Sequence, residues 1–239
     1  MTPPDDLKKN FIQASTVVAQ AYDSNNTQSG GDATPAQLIE AINQFFIIYE
    51  KLGNKHGENS LITRDNISQI GEQAINCLIE LGNWAERLNL QKEKALMEET
   101  AFAAAHWVIS HRGEIRSLDV IVNILAAKAN RTDDKVILTS LFHVMNDVIA
   151  HTSPELKNDP DKSDPGRPWR MLNFNFAIVA TRTKEKELMA RAFDTLGRNL
   201  PEDCPQFFEE GLIQSQKAEY GPEIKTMMTE YFKKWATLH

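Results

Sequence analysis

The chain has 239 residues, 41% of them hydrophobic and 25% charged, enough apolar material for one large domain or two small ones. A formal net charge of -7 lacks the basic footprint that non-specific nucleic-acid binding requires, so nucleic acid is excluded as the expected partner. The longest apolar run, Phe45 to Tyr49, is too short to span a bilayer, and the start MTPPDDLKKN carries no signal-peptide pattern. Cys77 and Cys204 each fall in an apolar helical context and read as small core residues, not as a disulfide. The expectation is a cytoplasmic protein with no membrane association.

Residues 1–33 read as an N-terminal helix and a flexible linker. Pro3, Pro4, Asp5 and Asp6 form a helix start, with acids at the positive end of the dipole. Leu7, Phe11, Ala14 and Val18 then share a face, placing a helix from about Asp5 to Tyr22. Asp23 to Ala33 has no apolar period and two adjacent glycines, which predicts a loose tether for that helix.

Residues 34–151 read as an N-terminal helical region. Thr34 is an N-cap with Gln37 three residues on, and Leu38, Ile42, Phe45, Tyr49 and Leu52 follow at helical spacing, with Gly53 as the stop. Thr63 caps the next helix, whose face is Ile67, Ile70, Ala74, Cys77, Leu78 and Leu81. Gly82 either ends it or lies inside one helix running to about Leu90. Glu93 to His111 is the stretch around which the fold is expected to form. From Ala101 on it is apolar on nearly every side, the pattern of a helix enclosed by other helices. Ile115, Leu118, Val122, Leu125 and Ala129 define a further helix. Asp133 to His151 defines another, with Ile137, Leu141, Val144 and Val148 as its core stripe.

Thr152 to Arg167, with Pro154, Pro160, Pro165 and Gly166 among charges, is the sharpest change of composition and the expected boundary between two halves. Beyond it, Pro168 opens a helix with Trp169, Leu172, Phe176 and Val179. Leu188, Ala192, Phe193 and Leu196 form its partner, ending at Gly197. Pro201 opens a third helix, with Phe207, Phe208, Leu212 and Ile213. Gly221 and Pro222 open the last, with Ile224, Met228, Phe232 and Trp235.

The openings at Pro168 and Pro201 lie about 33 residues apart, close to the roughly 34-residue unit of tetratricopeptide repeats. With Pro201 as the terminal proline of one unit, Phe193 falls on the second-helix aromatic position of that family. Phe207 and Gly211 fall on the early aromatic and small positions of the next unit. Met189 stands where a small residue is expected, and Trp169 is out of register. Residues 168–238 thus resemble two degenerate tetratricopeptide units, within a C-terminal helical region of residues 168–239. The resemblance implies an all-α fold, about ten antiparallel helices in an α–α superhelix, with a concave surface that holds a protein or peptide.

No motif fixes a reaction. The chain has no Gly-x-Ser-x-Gly elbow, no phosphate-binding glycine loop and no Cys-x-x-Cys, and no cofactor is expected. The leading expectation is a non-catalytic interaction module whose partner-binding residues are Arg167, Trp169, Arg170 and Arg182, in the most basic zone of an acidic chain. A solvated face paired with Glu185 and Glu187 is the plainer reading of that zone. The competing expectation is a metal- or small-molecule-binding bundle, an enzyme among the options, using His106, His143, Asp147 and His151. The last three share one side of a helix at four-residue spacing. Against it stands a polar helix face whose histidines bond to neighbours or water. A homodimer contact through Met227, Met228, Tyr231, Phe232 and Trp235 is the third reading.

Overall fold

The computed structural model describes residues 4–25, 30–52, 62–158, 164–217 and 220–236. Among them the chain forms eleven α-helices, one 3₁₀ turn and no strand, so the protein is all-α. None of the described helices is long and apolar enough to cross a membrane. Gly53 as a helix stop, the middle of the 23–33 linker and Pro160 lie outside the described residues. The chain divides into two compact units, Met1–Ile124 with His151–Ser153, and Leu125–Ala150 with Pro154–His239.

The first unit contains α1 (Pro4–Ser24), α2 (Pro35–Leu52), α3 (Arg64–Arg87) and α4 (Gln91–Ser110). The face predicted for α1 is buried at Leu7, Phe11, Ala14 and Val18. Phe11 meets Phe46 of α2 at a centroid distance of 5.3 Å, so α1 is a full member of the core and not the loosely held element its linker predicts. The linker's end is itself held. Trp84 Nε1 donates to the Ala33 carbonyl at 2.9 Å, and Arg87 pairs with Asp32 at 3.0 Å.

Capping follows the sequence closely. At α2 the Thr34 N–H donates to Gln37 Oε1 at 2.9 Å, and the Gln37 N–H points back at Thr34 Oγ1 at 3.5 Å, the reciprocal capping box. At α3 the Asn66 N–H donates to Thr63 Oγ1 at 3.2 Å. The question left open at Gly82 resolves as one uninterrupted helix. Gly82 is not a breaker: it faces α4 beside Met97, as Gly71 faces Val108 one stretch earlier. Small residues on both helices (Gly71, Gly82, Ala101, Ala104, Ala105) let α3 and α4 run side by side. None of residues 100–110 is exposed, so the second half of α4 is enclosed as its composition predicts, while Ala95 and Glu99 of the first half are exposed.

Helix α5 (Asp119–Asn130) starts later than its apolar period predicts. Ile115 and Leu118 are buried, but Ile115 is extended. Its N–H donates to the His151 carbonyl at 2.7 Å, and its own carbonyl accepts from the Ser153 N–H at 2.9 Å. A residue whose backbone is paired this way cannot also serve the first turn of a helix. The division between units falls inside α5, between Ile124 and Leu125.

Helix α6 (Lys135–His151) is capped by Asp134, whose Oδ1 accepts from the Val136 N–H at 2.8 Å and the Ile137 N–H at 3.2 Å. Its buried face is Leu138, Leu141, Phe142, Met145, Val148 and Ile149, rotated from the predicted stripe; Ile137 is exposed. The bulk of Phe142, stacked on Phe176 at 4.5 Å, sets that rotation.

Also in the second unit are the short α7 (Pro154–Lys157), α8 (Pro168–Thr183), α9 (Lys186–Asn199), a 3₁₀ turn (Pro201–Asp203), α10 (Cys204–Lys217) and α11 (Pro222–Ala236). All four predicted core residues of α8 (Trp169, Leu172, Phe176, Val179) are buried. Helix α9 runs through Gly197 to Asn199. Gly197 makes room for a neighbour: a β-carbon there would lie 2.6 Å from Trp235 Cζ2 of α11. Phe193, Phe208 and Tyr231 form the aromatic centre of α9, α10 and α11, with centroids 5.0–5.4 Å apart.

Candidate functional site

A concavity of the second unit lies between α8 and α10. Arg170 Nε donates to Asp203 Oδ1 at 2.7 Å, and the Phe174 and Phe207 rings meet at 5.0 Å. Both pairs join residues 33 apart in sequence, so α8 and α10 run parallel, side by side. On the other side of the unit, Lys186 pairs with Glu223 at 3.0 Å and Tyr231 donates to Asp194 at 2.9 Å, both 37 apart. Helices α9 and α11 are therefore parallel as well.

Between α8 and α10 lies a groove of about 550 Å³. Phe174 and Ile178 line one wall, Phe207, Glu210 and Ile213 the other, and Met228 of α11 reaches in from behind Gly211. Gly211 permits this approach, since a β-carbon there would lie 3.0 Å from Met228 Sδ. Ile178 and Ile213 are 46% and 47% exposed, large aliphatic side chains left open to solvent on the two walls. The volume falls within the range of sites that hold a side-chain cluster or a small ligand.

The four residues expected to bind a partner serve this unit in different ways. Trp169 is only 3% exposed and anchors α8 to the core, so its ring is not on the surface. Arg167 and Arg170 both reach Asp203, with all three side chains mostly buried. Arg170 also donates to the Pro165 carbonyl at 2.9 Å and lies over the Phe174 ring at 4.1 Å, at the mouth of the groove. Arg182 binds the end of α5, donating to the carbonyls of Ala129 and Thr132 and pairing with Asp133 at 3.0 Å. A cation on the last carbonyls of a helix is a favourable C-terminal cap. Of the four, Arg170 alone lines the groove.

The metal candidates are divided between the units. His106 and His151 belong to the first, and the exposed His143 and Asp147 of α6 belong to the second. Among the described residues no group of three or more His, Cys, Asp or Glu is arranged to hold a metal ion. His143 lies edge-on to Phe142 at 5.4 Å. His111 Nδ1 lies 2.9 Å from the Trp107 carbonyl, four residues back at the end of α4.

The groove residues missing from the sequence reading are Phe174, Ile178, Glu210 and Ile213 in a binding role. Their signal was present. Arg170, Phe174 and Ile178 recur every four residues on α8, beside the core row of Leu172, Phe176 and Val179. No protein-family model matches the chain, and no curated protein or solved structure matches it either.

Proposed function

We propose that this protein is a non-catalytic, cytoplasmic interaction module that holds a peptide segment of a partner protein in the groove between α8 and α10. In this reading the second unit is a short row of stacked helix hairpins of tetratricopeptide-like type, α8 with α9 and α10 with α11. The equal 33-residue offset of Arg170–Asp203 and Phe174–Phe207 supports it, as does the 37-residue offset on the α9–α11 side. Phe193 in the aromatic centre and Gly211 under Met228 occupy roles that suit the positions assigned from the resemblance.

The observation that carries the proposal is the apolar wall pair. Ile178 and Ile213 remain half exposed over a groove floored by aromatic and methionine side chains, a surface that gains by being covered. Random short peptides displayed on phage and panned against the protein test it. Enriched peptides that no longer bind an Ile178→Asp, Ile213→Asp double variant support the groove. Peptides that bind both proteins equally, or no enrichment at all, overturn it.

A further inference from the structure

The groove carries a charge that the fold leaves uncompensated. Two lining residues are ionic, Arg170 and Glu210. Arg170 is ion-paired with Asp203 at 2.7 Å, a carboxylate it shares with Arg167. Glu210 accepts one hydrogen bond from Gln206 Nε2 at 2.8 Å, and no cation lies within ion-pair distance of it among the described residues. Its exposed neighbour Glu209 is likewise without an ion pair there. Lys184 Nζ lies 6.0 Å from the ring centroid of Tyr220, another lining residue. Glu210 is therefore the ionic residue of the groove lining left without an ion pair among the described residues.

We infer that the peptide held by this groove is apolar and basic: bulky aliphatic or aromatic anchors against Phe174, Ile178, Phe207 and Ile213, with a lysine or arginine beside them facing Glu210. This rests on the proposed groove function and specifies its partner. An acidic segment would bring like charge to a carboxylate with no counter-ion, whereas a basic one supplies the missing partner. Complementary charge of this kind selects partners more than it adds affinity.

Two labelled helical probe peptides separate the possibilities. Both carry leucines at i, i+3, i+4, i+7 spacing; one has lysines at the remaining positions and the other glutamates. Binding to the full chain is read by fluorescence anisotropy at about 150 mM salt, where long-range attraction is largely screened. The expected result is binding of the lysine peptide, weakened roughly three- to tenfold by Glu210→Lys, the span of one exposed pair turned to repulsion. Glu40→Lys on α2 changes the net charge by the same amount and should leave binding unaltered. Equal binding of both peptides, each lost in the Ile178→Asp, Ile213→Asp variant, would overturn the basic preference and leave the groove standing. Lysine-peptide binding that survives the double isoleucine variant, or falls equally with Glu40→Lys, would overturn both. So would the absence of binding by either peptide.

Discussion

Gly71 of α3 and Val108 of α4 are so close that a β-carbon on Gly71 would come within 2.0 Å of Val108 Cγ2. Valine is stiff about χ1, so the contact cannot be relieved by a rotamer change alone; α4 must move. Gly71→Ala should therefore cost about 1–3 kcal/mol in urea titration, the range of overpacked cores. Adding Val108→Ala should recover part of the loss. A single variant as stable as the parent would show that the two helices are not held at this distance.

Gly82, on the same side of α3, gives the opposite sign. A β-carbon there meets Met97 Cβ at 3.8 Å, an ordinary van der Waals contact. Gly82→Ala should raise stability by about 0.5–1 kcal/mol through the better helix propensity of alanine. A decrease would mean that α3 and α4 are closer at this end than described.

Asp203 balances two mostly buried arginines, Arg167 at 3.5 Å and Arg170 at 2.7 Å. Asp203→Ala leaves both without this carboxylate and should destabilise by about 1–3 kcal/mol, the range for a lost charged hydrogen bond. It should also loosen Arg170 over Phe174, seen as faster amide exchange in the first turn of α8. Unchanged exchange there would separate Asp203 from the ordering of the groove mouth.

The two faces of α8 should respond differently to substitution. Trp169→Ala removes a ring that is 3% exposed and should cost about 3–5 kcal/mol. Ile178→Asp and Ile213→Asp should each change stability by no more than about 0.5 kcal/mol, as for surface positions, while removing peptide binding. A large loss of stability from Ile178→Asp would place that side chain in the core.

Burial pushes the Cys204 thiol up to about 12 from its usual 9, with Asp203 adding in the same direction. Burial, then the hydrogen bond to Asp194, pushes the Tyr231 hydroxyl up to about 12 from 10. Both groups are neutral when protonated. Above the unfolded value the unfolded chain loses the proton while the folded chain keeps it, so folding stability falls with rising pH. The contribution is complete below about pH 9 for Cys204 and pH 10 for Tyr231, and is lost by about pH 12 in both cases. Cys204→Ala should flatten the alkaline decline of the unfolding midpoint between pH 9 and 11 relative to the parent. At pH 8 a thiol reagent should modify the half-exposed Cys77 well before Cys204. Equal rates would show that Cys204 is accessible.

Much of the local structure was legible because it depends on neighbours in sequence. The caps at Thr34 and Thr63, the enclosed second half of α4 and the core rows of α1 and α8 all follow from spacing of three or four residues. What escaped depends on contacts made far along the chain. Ile115 keeps the helical period with Val122, yet its backbone is taken by His151 and Ser153, and nothing near it announces this. Gly197 looks like a stop, but it is small because Trp235 lies against it. Ile137 and Leu138 are equally apolar, and only the seat of Phe142 on Phe176 decides which turns inward. Of the expected partner-binding residues only Arg170 lines the groove, for a related reason. Arginine and tryptophan drew attention to Arg167, Trp169 and Arg182, whose side chains hold the unit together, while the row of Arg170, Phe174 and Ile178 carried the open wall.

The extended contact of Ile115 with residues 151–153 also limits how the gene can be cut. A fragment ending at Ile124 would contain four long helices of the first unit, yet it would strip the partners from both the N–H and the carbonyl of a residue that is 1% exposed. Each orphaned group costs about 1–3 kcal/mol, a large share of the margin by which a domain stays folded. Truncation at this point should therefore yield a molten or insoluble product. Supplying the three-residue strip from His151 to Ser153 through a short engineered connection should restore cooperative melting.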